Sequence, residues 1–140
     1  PAGQTRDYVF GYTILNDVSA RDVQTAHKQW YFGKSLDGFT PIGPCIVTAD
    51  AFADYPPRLG IRSFVNGEKR QDSNTALQIF DIDHVIAELS QGMTLKAGTI
   101  IATGTPAGVG MGMDPPQFLK PGDVVRCEIE GIGTLTNPVE

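Results

Sequence analysis

The feature that most constrains this chain is a dipeptide, Asn66-Gly67, set between strand-like residues 61–65 and those from Glu68 onward. Both residues tolerate the positive φ angles of a tight type I′ turn, so the segment reads as a β-hairpin. The flanking sequence extends that pattern. Residues 8–15 are mostly apolar, aromatic and β-branched, as in a buried strand, and the run stops at Asn16-Asp17. Residues 42–48 and 99–103 read as further short strands, the first of them buried, and 124–130 with 133–136 as a strand pair around Gly131. One helix is clear, over 83–91. Ile82, Val85, Ile86, Leu89 and Met93 recur at helical spacing, Asp81 and Asp83 mark its start, and Gly92 ends it. Residues 18–27 permit a short second helix with Ser19 or Asp17 as N-cap. Residues 33–44, with Gly33, Gly38, Pro41, Gly43 and Pro44, read as an ordered loop. The expectation is a β-rich α+β fold with one or two short helices.

Composition removes several function classes. A chain of 140 residues fits one domain able to bury roughly two thirds of its unfolded surface. Its formal charge of −5 and its scattered Lys and Arg provide no basic patch for nucleic acid. No apolar run is long enough to span a membrane as a helix. Cys45 and Cys127 lie in apolar strand-like runs without metal-site spacing and read as buried thiols of a reducing compartment. Residues 1–7 lack the basic and apolar regions of a targeting peptide and read like a linker or a cut end. The expected location is cytoplasmic, or mitochondrial in a eukaryote.

Asp17 follows a strand-like run and is crowded by Ser19, Arg21, Asp22 and Gln24. Two readings stand: a surface ion pair, or one oxygen ligand of a hard cation. Lys34 sits among Trp30, Tyr31, Phe32, Gly33, Leu36 and Phe39. It either snorkels to solvent or, if partly desolvated, stabilises a developing oxyanion. Residues 104–112 form a glycine-rich loop beginning Gly104-Thr105-Pro106, a tight turn or a source of N–H and hydroxyl donors for an anion. Its spacing fits neither a phosphate-binding P-loop nor a dinucleotide fingerprint. His27 reads as a surface residue able to approach the site, His84 as solvated, and no serine lies in a nucleophile elbow.

Several of these pieces occur in series. Residues 16–24 (Asn-Asp-Val-Ser-Ala-Arg-Asp-Val-Gln), Gly33-Lys34-Ser35 and Pro41-Ile42-Gly43-Pro44 are followed by Val65-Asn66-Gly67-Glu68. Residues 100–110 and Pro121-Gly122-Asp123-Val124-Val125 complete the set. Together they resemble the fumarylacetoacetate hydrolase family, in the right order over nearly the whole chain. Residues 28–34 and 115–120 look closest to its domain-containing protein 2 branch and bacterial relatives.

The resemblance implies a mixed β-sheet roll or sandwich of the family's own type. It implies a divalent cation (Mg²⁺ foremost, Mn²⁺ or Ca²⁺ otherwise), 2-oxo or 2,4-dioxo acid substrates, and a homodimer. Asp17 aligns with a metal ligand, Lys34 with the catalytic lysine, and Arg21 and Gln24 with residues that contact substrate or order the site. Gln24 is carried with Lys34 as catalytic, Arg21 as substrate-binding. Thr105, with Gly104 beside it, aligns with a substrate-binding threonine. The family's Glu-x-Glu metal motif lies upstream of the segment matching 11–24, so residues 1–140 are expected to be one catalytic domain without its N-terminal part. The leading expectation is metal-dependent hydrolysis of a C–C bond in an acylpyruvate-like acid. Decarboxylation, isomerisation or dehydration of a 2-oxo acid on the same fold, and a non-catalytic fragment, are the alternatives.

Overall fold

The computed structural model describes residues 3–26 and 28–140. Strands β1 (Gly11–Leu15) and β2 (Ile42–Thr48) form a two-stranded sheet. Strands β3 (Gly60–Val65), β4 (Glu68–Asn74), β5 (Val124–Ile129) and β6 (Gly133–Pro138) form a second, in the order β4-β3-β5-β6. The helices are α1 (Arg21–Ala26) and α2 (Ile82–Gly92), with single 3₁₀ turns between elements. The β-rich α+β expectation therefore holds. The sheets are antiparallel at every pairing among the described residues, not mixed. Tight turns after β3 and β5 impose this on the β3–β4 and β5–β6 pairs, because a parallel pair needs a crossover of a dozen or more residues.

The Asn66-Gly67 turn forms as read, with φ of +52° and +83°. It is clasped from outside. Asn66 Nδ2 donates to Asp123 Oδ1 (2.8 Å), and Asn66 Oδ1 accepts from the Val124 N–H (2.9 Å). Asp123 Oδ2 accepts from the Lys120 N–H (2.8 Å). The bond from Asn66, then that from Lys120, holds the Asp123 carboxyl below the usual carboxylate range. Helix α2 also forms as read, with Asp81 Oδ1 capping the His84 N–H at 2.8 Å. His84 is exposed and stacks on Phe80. Asp83 does more than start the helix. It accepts from Thr5, whose buried hydroxyl also bonds the Tyr55 hydroxyl at 2.6 Å.

β4 carries one residue more than β3 can pair. Ser63 faces Gln71 and Phe64 faces Lys69, so Arg70 is the extra residue of a β-bulge.

The core is small. Ile14 of β1, Val125 of β5 and Ile132 of the β5–β6 turn, with Pro57, are the buried apolar side chains among the described residues. Tyr12 packs edge-on to Phe52 at 5.6 Å. Its hydroxyl is buried without a partner among the described residues, and burial pushes its pKa up to about 12. The exposed surface is 9625 Å², about 2,500 Å² more than a compact monomer of this mass shows.

That excess corrects several expectations. Residues 6–8 form a 3₁₀ turn rather than the start of a strand, and Tyr8 and Phe10 are exposed. β2 forms but is not buried: Ile42, Ile46 and Cys45 are all exposed, and Cys127 is half-buried. Burial still pushes the Cys127 thiol pKa up. Residues 99–103 form no strand, and Ile100 is exposed. An apolar β-branched run reports a readiness to pair, whereas pairing requires a neighbour, and none is present here among the described residues. No helix among the described residues is long and apolar enough to cross a membrane.

Candidate active site

β1 delivers the first cluster. After Leu15 the chain turns out of the sheet, with the Asn16 N–H donating to the Pro41 carbonyl (3.0 Å) and the Val18 N–H to the Asn16 carbonyl (2.9 Å). The turn leaves Asp17 at the surface. Ser19 Oγ donates to the Asp17 carbonyl at 3.1 Å, and helix α1 begins beyond Ala20, whose carbonyl accepts from the Gln24 N–H (2.8 Å). Neither Ser19 nor Asp17 caps the helix. Their side chains are engaged by Lys34 instead.

Lys34 reaches this turn because Gly33 allows it. A Cβ on Gly33 would lie 2.7 Å from the Gln24 nitrogen and 2.9 Å from the Ala20 carbonyl oxygen, distances no side chain tolerates. The Ala20 N–H donates to the Gly33 carbonyl (2.8 Å), which fixes the 3₁₀ turn Phe32–Lys34 against α1. Lys34 Nζ then donates to Asp17 Oδ2 and, at 3.0 Å, to Ser19 Oγ. Thr40 Oγ1 holds the Lys34 carbonyl at 3.1 Å. An ammonium has three hydrogens. Two are engaged, and the side chain is 29% exposed, so the third is available to a ligand.

α1 supplies the second pair. Arg21 Nη1 donates to Gln24 Oε1 at 3.1 Å, and Gln24 is buried. Gln24 is therefore the covered member of the pair and holds the Arg21 guanidinium, which is half-buried.

The third cluster belongs to the glycine-rich loop. Thr105 and Gly104 are exposed, and Gln71 Nε2 donates to both Thr105 Oγ1 and the Pro106 carbonyl at 2.8 Å. Gly108 lies so close over the Arg70 carbonyl that a Cβ there would overlap it, and its φ of +105° is one that side chains rarely adopt. Arg70 Nη1 donates to Gln117 Oε1, binding the following segment to the same strand. No hydrogen bond among the described residues joins this loop to Lys34. The contacts of Arg70 and Gln71 with this loop are not legible in the sequence, since nothing in a polar strand marks which residue is the bulge.

No three of His, Cys, Asp and Glu gather into a metal-holding group among the described residues. A hard cation takes six or more oxygens. Asp17 brings one carboxylate, already paired on one oxygen, so these residues do not by themselves fit a divalent cation. His27 lies outside the described residues. A surface groove of about 680 Å³, lined by Arg62 and residues 128–134, contains none of the residues expected to carry chemistry.

The family model described as "Fumarylacetoacetate (FAA) hydrolase C-terminal" matches residues 1–140. The chain belongs to the fumarylacetoacetate hydrolase family. It is 52% identical over 133 residues to the oxaloacetate tautomerase YisK of Bacillus subtilis, covering 95% of this chain and 44% of that protein. It is 51% identical over 135 residues to the mitochondrial oxaloacetate tautomerase fahd2 of Xenopus laevis, covering 95% of this chain and 42% of that one. Among solved structures it superposes on the fumarylacetoacetate hydrolase of psychrophilic Exiguobacterium antarcticum with a TM-score of 0.95 and 53% identity. That match covers 100% of this chain and 50% of the other. The chain spans about half the length of the relatives it matches.

Proposed function

We propose that these residues form part of an enzyme that moves a proton between carbon and oxygen of a 2-oxo acid, an oxaloacetate-like tautomerase or isomerase. The observation that supports it is the outward-facing Lys34 ammonium, fixed by Asp17 and Ser19, in a chain half identical to two oxaloacetate tautomerases. In such a reaction the proton on the carbon beside the carbonyl leaves, its electron pair becomes the C=C bond, and the carbonyl oxygen is protonated. Negative charge passes through that oxygen. Lys34 would donate to it, and a fixed donor there strengthens as charge develops. Arg21, oriented by Gln24, would pair with a carboxylate, and Thr105, beside Gly104, would hydrogen-bond a second acceptor.

Asp17 would contribute at most one ligand to a divalent cation such as Mg²⁺, Mn²⁺ or Ca²⁺. No step here is routed through one. C–C bond hydrolysis is the second reading, favoured by the name of the E. antarcticum structure. The test is an assay of the intact protein with enol and keto oxaloacetate and, separately, an acylpyruvate. Faster keto–enol exchange without acylpyruvate cleavage supports the tautomerase, and the reverse result overturns it.

A homodimer belongs to the same reading. The exposed surface, about 2,500 Å² beyond that of a compact monomer, leaves room for the face that each partner buries in an obligate homodimer. Light scattering at micromolar protein checks this, and a monomer would refute it.

A further inference from the structure

We infer that Gln71, on the β4 bulge, is a positioning residue that sets the hydrogen-bond polarity of Thr105 so that its hydroxyl proton faces an anionic oxo-acid ligand. This rests on the reading of Thr105 as substrate-binding and adds to it.

The geometry fixes the amide's orientation without reference to Thr105. The Pro106 carbonyl lies 2.8 Å from one end of the Gln71 amide and can only accept, so that end is Nε2. Ser63 Oγ donates to the other end, Oε1, at 2.7 Å from the facing position on β3. With nitrogen toward the loop, Gln71 donates its second hydrogen to Thr105 Oγ1 at 2.8 Å. Thr105 Oγ1 is then an acceptor in that bond, and its own proton is left for another partner. Thr105 is exposed, whereas Gln71 and Ser63 are half-buried beneath it.

The polarity matters because the keto form of a 2-oxo acid presents only acceptors, from its carboxylate and its carbonyl. A threonine whose proton points inward would turn lone pairs toward that anion. The bulge makes the arrangement available. Successive strand residues ordinarily point to opposite faces. At a bulge two neighbours lean the same way, and here Arg70 and Gln71 both reach the loop and its continuation, at Gln117, Thr105 and Pro106.

Two substitutions separate polarity from packing. Gln71→Glu keeps the shape but turns Nε2 into an acceptor, drawing the Thr105 proton inward. Gln71→Met removes the bonds without adding an acceptor. In the intact protein acting on oxaloacetate, Gln71→Glu is expected to raise KM tenfold or more with kcat within about threefold, and Gln71→Met to raise it less. Combined with Thr105→Ala, Gln71→Glu adds nothing further to KM.

A Gln71→Met effect equal to or larger than that of Gln71→Glu, or KM effects that multiply with Thr105→Ala, overturns the inference while the substrate-binding role of Thr105 stands. An unchanged KM for Thr105→Ala overturns both. Where Gln71→Glu does not fold, Gln71→Met with a parental melting temperature carries the test. It removes the donor that turns the Thr105 proton outward and is expected to raise KM severalfold; a parental KM refutes the proposal.

Discussion

Two polar clusters, both built from segments that carry the family resemblance, differ in how completely they are satisfied. In the clasp of Asn66 and Asp123 each side-chain oxygen and the amide nitrogen has a partner within the two turns. In the cluster of Asp17, Ser19 and Lys34 one carboxylate oxygen and one ammonium hydrogen have none among the described residues. The first arrangement closes on itself and stabilises a hairpin. The second is held rigidly from one side and open on the other, which is what a ligand-facing group requires. Equal prominence in a sequence pattern thus conceals different degrees of hydrogen-bond saturation.

Three measurements would break or sharpen this contrast. Lys34→Ala should lower turnover by about 10²–10³-fold, the usual cost of removing a donor to a developing oxyanion. Its melting temperature should barely move, because a partly exposed ion pair contributes only ~0–1 kcal/mol. Full activity would remove Lys34 from the site. Asn66→Gly retains a residue suited to positive φ but loses two side-chain bonds. It should cost ~1–3 kcal/mol in urea unfolding and leave kcat/KM unchanged. A catalytic defect without destabilisation would abolish the distinction between the clusters.

The smallest effect is on pH dependence. The folded Asp123 carboxyl has a lowered pKa, so as pH falls the unfolded chain takes up its proton first. The stability this group contributes is present at neutral pH and lost as pH drops through its folded value. Asp123→Asn should flatten the acid limb of a stability-against-pH curve, and an unaltered limb would show the clasp to be electrostatically idle.

Legibility followed the range of the signal. The Asn66-Gly67 turn, the Asp81 cap and the turn at Gly131 were readable because each is decided by the residues at hand. Residues 99–103 and Tyr8 were misread because an apolar run records a need for cover without naming its source. Asp17, Arg21, Lys34 and Thr105 were singled out by their serial motifs, while Gln71 and Ser63 were not. Their significance depends on a register shift in β4, and a shift is a property of two strands together. The motif names Gln24 beside Arg21, but only burial shows that Gln24 is the covered member of the pair.

The bulge at Arg70 also has a bearing on inheritance. Losing that one codon would leave Ser63 opposite Gln71 and Phe64 opposite Lys69, now as an unbroken ladder, so the hairpin itself would survive. The loop would lose the Arg70 carbonyl beneath Gly108 and the guanidinium that binds Gln117. A lineage could therefore part with this loop's alignment in a single mutational step while keeping its fold, leaving descendants whose shape no longer reports their chemistry.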